Sequence, residues 1–219
     1  WLHEQITVDK GEEQLVADEI NQMLYAVPAR EKLALLLWLL KNEAGERILV
    51  FRNRRDRCEE LARKLQHYGV NCAVMSGDVP QNKRLRVLES FRKGETRVIV
   101  ATDVAGRGIH VDNISHVINY DLPYEPEDYV HRIGRTGRAG VEGKAIGFAC
   151  EESSFVLPDI EEYIQQAIPT ETPSPEMLEL PHPPPKPQSH VPREPTARSK
   201  RGGGSRGGNR RRRPSNRKS

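Results

Sequence analysis

From about residue 28 to 167, short runs of apolar and β-branched residues alternate with longer stretches whose apolar positions recur every three or four residues. The runs RILVF (47–51), CAVM (72–75), RVIVA (97–101), HVINY (116–120) and AIGFA (145–149) predict five strands. Between them, a helix over 31–42 is apolar almost all round, and one over 55–68 carries a stripe at Cys58, Leu61, Ala62 and Leu65. A third follows Pro80, with apolar positions at Leu85, Leu88 and Phe91; others are predicted over 125–135 and from Ser153 to about 167. Strands and helices in this alternation build βαβ units, so the expected fold is α/β, with a mostly parallel central sheet flanked by helices in three layers.

The alternation ends at Ile168. Residues 1–22 are expected to be an N-terminal extension or interdomain linker, 23–168 a single domain, 169–197 a Pro-rich disordered spacer and 198–219 an Arg/Gly-rich basic tail. Eleven of the 16 prolines fall in the last 51 residues, which therefore carry too little apolar surface to offset the entropy of ordering.

Charge sharpens this division. The chain as a whole is only +3, yet residues 1–168 hold 22 Lys/Arg against 27 Asp/Glu while residues 169–219 hold 12 against 4. An acidic front with a basic end points to a nucleic-acid-binding arm on an ordinary domain. The three cysteines are far apart and form no C-x-x-C pair, so they are expected to be reduced core thiols. The longest apolar run, 33–40, is far shorter than the roughly 20 residues of a membrane span. With Trp1 first and no signal segment, the chain reads as a piece of a longer cytoplasmic protein.

Three segments carry candidate chemistry. In HRIGRTGR (131–138), His131, Arg135 and Arg138 would share one face if the helix continued, and two guanidinium forks can stabilise charge on a transferring phosphoryl group. The bland alternative is a solvated basic face. Gly134 and Gly137 weigh against it, because each weakens a helix by about 1 kcal/mol and is better explained by close approach of another surface.

TDVAGRGIH (102–110) follows a predicted strand, where a glycine-containing loop can hold a phosphate by its N–H groups. Val111 stands where a dinucleotide fingerprint needs its third glycine, so that reading is not supported. SGD (76–78) leading to Gln81 and Arg84 is a strand end before a helix N-terminus, a place that can receive a phosphate. Read alone, Asp78 would be an N-cap and Gln81 and Arg84 surface residues.

In this order and spacing, the three segments over about 22–168 resemble the C-terminal lobe of DEAD-box RNA helicases, whose fold is RecA-like. RCEE (57–60), RGIH (107–110), ACEE (149–152) and the basic tail resemble the bacterial branch that works beside a ribonuclease in the RNA degradosome. The resemblance implies arginine fingers at Arg135 and Arg138. It implies nucleotide and interlobe contacts at Asp103, Arg107, His110, His131 and Arg132, and RNA-phosphate contacts at Arg54, Gly77, Gln81, Arg84, Thr102 and Gly108. It further implies ATP and Mg2+ bound mainly by an N-terminal RecA-like lobe, RNA as substrate, a degradosome ribonuclease scaffold as possible partner, and no metal held by this lobe or membrane contact.

Two positions depart from the family's pattern. His110 stands where the family has an Asp that holds the ATP ribose, and Phe51-Arg52-Asn53-Arg54-Arg55 replaces Phe-Val-Asn-Thr-Lys, putting a cation in place of a hydroxyl. No G-x-x-x-x-G-K-[ST] loop and no D-E-A-D segment occurs in the 219 residues, so those parts are expected on the other lobe. Rival readings are a free-standing RNA-binding and docking module without catalysis, and half of a helicase acting on DNA.

Overall fold

The structure, a computed structural model, describes residues 20–43, 45–109, 111, 113–137 and 143–185. The chain divides into two units, 1–185 and 186–219, and the second lies outside the described residues together with the basic tail.

Seven strands form one parallel sheet: β1 (Ile20–Ala26), β2 (Ile48–Phe51), β3 (Cys72–Met75), β4 (Val98–Ala101), β5 (His116–Asn119), β6 (Gly143–Ala149) and β7 (Thr170–Glu171), in the order β3-β4-β2-β5-β6-β1-β7. Register is tight at the centre, where Ile48 pairs with both Val98 and His116. A parallel sheet covered on both faces needs apolar residues at every position, and β2 and β4 are buried throughout.

The pleat sends alternate residues to opposite layers. Ile48, Val50, Val98, Val100 and Ile118 pack under α1 (Lys32–Asn42) and α2 (Arg55–His67). On the other face Leu49, Phe51, Ile99, Ala101 and Val117 meet Leu88 and Phe91 of α3 (Gln81–Arg92) and Ala105 of α4 (Asp103–Gly106). Leu24 and Ala145 meet Tyr129 and Ile133 of α5 (Pro126–Ile133) and Ile160 of α6 (Leu157–Ile164). The three layers are those expected, and Cys58, Cys72 and Cys150 are free and buried. Burial pushes the Cys58 thiol up to about 12 and that of Cys72 to about 11.

Several expectations need correction. The domain does not begin at residue 23: β1 starts at Ile20 and pairs along its length with β6. Its polar Gln22 is buried because it accepts the Tyr129 hydroxyl at 2.8 Å. Nor do residues after 168 all lie outside the packed structure. Leu24 donates its N–H to Pro169 O at 2.8 Å, β7 pairs with β1, and Met177, in a 3-10 turn at Pro175–Leu178, is buried against the α1 cluster. Residues 102–106, expected as a loop, include the short helix α4. The helix expected over 125–135 ends at Ile133, capped at Gly134.

Candidate functional site

The sheet places its chemistry at the carboxyl ends of β3, β4 and β2, where chain leaving a parallel sheet exposes backbone groups. After β3, Gly77 is exposed; a Cβ there would meet only Val104 Cγ1, at 3.9 Å. Pro80, not Asp78, caps α3, and Asp78 instead pairs with Arg55. Gln81 is exposed at the first turn of α3, and one turn on Arg84 donates Nη2 to Ala105 O at 2.7 Å. A Cβ on Gly108 would lie 2.6 Å from that same nitrogen, so glycine there makes room for the guanidinium. Thr102 caps α4 by its carbonyl, which accepts Gly106 N–H at 2.8 Å. The structure thus brings Gly77, Arg84, Thr102 and Gly108 to one end of two adjacent strands. Arg54, after β2, is exposed and holds Asp56 by two 3.1 Å hydrogen bonds.

The other side of α4 carries the second set. Arg107 Nη2 lies 2.6 Å from Asp128 Oδ1, and His131 Nδ1 lies 4.0 Å from the same oxygen. Asp103, Arg107, Asp128 and His131 line a shallow cleft beside Phe51 and Gly106. A Cβ on Gly106 would meet Phe51 Cε1 at 2.5 Å, so that helix can sit this close to the sheet only with glycine there.

Arg132, expected among the interlobe contacts, is held by partners within the domain. Its side chain is 1 % exposed and faces into the domain. Nε and Nη2 grip Asp103 at 2.5 and 2.8 Å, Nη1 donates to Asn119 Oδ1 at 3.2 Å and Asp121 O at 2.7 Å, and Nη2 also donates to Asn53 Oδ1 at 2.8 Å. All five N–H groups are used within this lobe. Arg132 therefore holds α4 to the ends of β2 and β5, and it also lines the cleft beside Asp103 and His131.

The helix on which His131 and Arg135 would share a face ends at Ile133. In a tight turn the Arg135 and Thr136 N–H groups donate to Arg132 O at 3.1 Å and Ile133 O at 3.0 Å, and Arg135 donates its Nε–H to His131 O at 3.0 Å. Close approach does account for Gly137, which has φ +68 and would set a Cβ 3.0 Å from Ile20 Cγ1, whereas Gly134 has an ordinary φ of −63. Arg138 and His110 lie outside the described residues. The buried Thr136 hydroxyl, donating to Ile114 O, pins this turn to the start of β5.

Sequence reasoning missed Asn53, Asn119, Asp121 and Asp128. Each is a single polar residue at a strand end or helix start, and only the fold reveals what it holds. Among the described residues no group of three or more His, Cys, Asp or Glu side chains is placed to hold a metal, and no helix is long and apolar enough to cross a membrane.

The family model described as the helicase conserved C-terminal domain matches residues 31–140. An ATP-dependent RNA helicase RhlB of Pseudomonas syringae is 49% identical over 178 residues, covering 81% of this chain and 45% of that protein. One of Xanthomonas axonopodis is 50% identical over 166 residues, covering 76% and 29%. The chain therefore spans less than half of these relatives' length. Among solved structures, E. coli DEAD-box protein SrmB bound to regulator of ribonuclease activity A has TM-score 0.69 and 37% identity, with 76% of this chain and 98% of that chain covered. S. cerevisiae Dbp5 bound to RNA and ADP BeF3 has TM-score 0.66 and 31% identity, covering 71% and 42%. With its three-layer parallel sheet, its glycine-spaced strand ends and these likenesses, the chain belongs to the helicase conserved C-terminal domain family, as the RecA-like C-terminal domain of a DEAD-box RNA helicase of the RhlB type.

Proposed function

We propose that this chain is the lobe of an ATP-dependent RNA helicase that grips the RNA backbone and completes, from one side, the hydrolysis site of a partner lobe. The observation that carries this is α4. The segment it belongs to touches Arg84 through Ala105 and Gly108 and touches α5 through Asp103–Arg132 and Arg107–Asp128. One short turn of chain thus touches both the proposed RNA side and the proposed nucleotide side.

On the RNA side, Gly77, Gln81, Arg84, Thr102, Gly108 and Arg54 hold phosphate oxygens and read no base, so binding is blind to sequence. A solved relative holding RNA and ADP BeF3 together supports this division. On the nucleotide side, Arg135 and Arg138 face the transferring phosphoryl group, while Asp103, Arg107 and His131 set the interlobe contact. Cationic Arg107 beside the α4–α5 cleft suits an anionic ligand. ATP with Mg2+, held mainly by the partner lobe, supplies the phosphoryl group. Closure bends one strand out of duplex geometry and hydrolysis releases it. The setting is cytoplasmic RNA degradation beside a ribonuclease scaffold, which capture of this chain by such a scaffold segment, with and without residues 169–219, tests.

The central test is phosphate release. This chain alone should turn over no ATP. Joined to its N-terminal lobe, the Arg135→Ala and Arg138→Ala proteins should each lose about 10³ in RNA-stimulated turnover, the scale of an arginine finger, with a far smaller change in RNA affinity. Robust turnover by the 219-residue chain would overturn the assignment to a lobe that needs a partner, and near-normal turnover in both variants would leave Arg135 and Arg138 as surface cations without a catalytic role.

A further inference from the structure

The carboxyl edge of the sheet is a row, and the phosphate contacts proposed above occupy only part of it. In the order β3, β4, β2, β5, β6, the strand ends lead into Gly77, Thr102, Arg54, Tyr120 and Cys150. The proposed grip stops at Arg54. There a cavity of about 390 Å³, lined by Arg54 itself, opens over the ends of β2, β5 and β6 and beside the first residues of α1 and α2. That size suits a small-molecule moiety. From β2 to β6 is two strand spacings, about 10 Å, enough for one more nucleotide or two.

The floor of the cavity is fixed and cationic. Asp121 Oδ1 lies 3.2 Å from Lys32 Nζ, and its Oδ2 lies 2.8 Å from Arg52 Nε. Both cations also lie over the Tyr120 ring, at 5.0 and 4.6 Å from its centroid. Burial alone would push the Asp121 carboxyl up, but the Arg52 hydrogen bonds and the Lys32 charge outweigh it and hold it below its ordinary value. Two cations therefore face one carboxylate.

The rim is different. Arg57 and Lys64 are each 52 % exposed and share Glu60, at 3.1 and 2.7 Å, and Arg54 holds Asp56. Exposed pairs of this kind are weak, so their cations can turn to a phosphate at little cost. Glu152 also lines the cavity. Beside these groups stands Tyr124, 65% exposed, a large ring left open to solvent. A ring next to exposed cations is the arrangement on which single-stranded nucleic acid stacks.

We propose that this cavity is a further subsite of the RNA track, in which a base stacks on Tyr124 and the adjoining phosphate is held by Arg57 and Lys64. The proposal rests on the phosphate grip above for the direction from which the strand arrives.

The test uses the whole 219-residue chain, fluorescent oligouridylates of about five and about ten nucleotides, and salt high enough to screen the basic tail. The short strand is consumed by the grip, and only the long one reaches the cavity. Tyr124→Ala should weaken the long strand about tenfold, in the range of one lost base stack, and leave the short one unchanged. Arg57→Gln combined with Lys64→Gln should do the same. Arg84→Ala, in the grip, should weaken both. Equal affinities for wild type and Tyr124→Ala at both lengths, or equal losses at both, would overturn the subsite while Arg84→Ala still reports on the grip. If Arg84→Ala changes nothing, the grip fails, and a loss confined to the long strand in Tyr124→Ala still upholds the cavity. Binding of a polyglutamate peptide that Tyr124→Ala abolishes, with RNA affinity untouched, would assign the cavity to an acidic protein segment and overturn the proposal.

Discussion

Arg132 has five N–H groups and five acceptors, contributed by Asp103, Asn119, Asp121 and Asn53. A lysine offers three donors from a single point and cannot span that set. Arg132→Lys, and more strongly Arg132→Ala, should therefore lower unfolding stability, the latter by about 3–5 kcal/mol, as when one partner of a buried ion pair is removed. Urea unfolding measures this; full stability in both variants would mean that the side chain faces outward and acts only in catalysis. Acid provides a second residue-scale test. Burial lowers the pKa of His116 from its ordinary 6.5, against the raising influence of Glu43, so the folded state disfavours the proton. A depressed folded value means that stability is full above 6.5 and falls as the pH drops through the folded value. Asp121, held below its ordinary 3.8, adds a later loss at lower pH. Unfolding midpoints against pH should show both phases in the wild type and only the later one in His116→Asn. An identical profile in the two proteins would remove His116 from the account. The run 131–138 was legible as special from its arginines and glycines. The direction in which each arginine turns was not, because the acceptors of Arg132 come from four separate points in the chain that only the sheet brings together.

At the scale of elements, the five strands β2 to β6 were legible because each is built on a short apolar run, and β2, β4 and β5 are buried throughout. β1 was not, since INQMLYA mixes Asn and Gln into its apolar positions and one of them, Gln22, is buried through a partner 107 residues away. β7 escaped for another reason. Two exposed residues within a Pro-rich stretch carry no periodicity, and what orders them is the outer edge of β1. This segment should matter energetically. Met177 is only 8% exposed and packs in the cluster of α1, and removing such a buried Met side chain costs about 2–5 kcal/mol. Because Met177 sits at the margin of that cluster, Met177→Ala should fall at the lower end. A chain ending at residue 168 should lose more, as it also uncovers the backbone of β1. Denaturant midpoints for chains ending at 168 and at 185 decide the matter: equal stability would show that β7 and the 3-10 turn rest on the domain without supporting it.

For the whole molecule, the decisive feature is the imbalance of charge between its ends. Residues 1–168 are −5 and residues 169–219 are +8, and ten of the cations fall within residues 198–219, which contain neither an acidic residue nor an aromatic one. A segment without aromatics has nothing to stack on bases, so whatever affinity it has for RNA comes from neutralising phosphates and releasing counterions. Each phosphate neutralised on a single strand adds about −0.7 to the slope of log affinity against log salt, so the ten cations together cap the tail's contribution near roughly −7. Eight of the ten are arginine, whose planar fork matches phosphate oxygens and is less strongly hydrated than lysine, which favours a binding role over one in solubility alone. Removing residues 198–219 should therefore weaken binding of unrelated RNA sequences by similar factors and flatten the salt dependence. The grip on the folded domain, with fewer cations, should keep the shallower slope that remains. Circular dichroism and the denaturant midpoint of the shortened chain should match those of the full one, because the contacts described around Met177 and of Pro184 beside Gly69 lie upstream of the cut. Unchanged affinity together with an unchanged slope would show that the tail does not bind RNA, and a loss confined to one RNA sequence would show that it reads bases rather than phosphates.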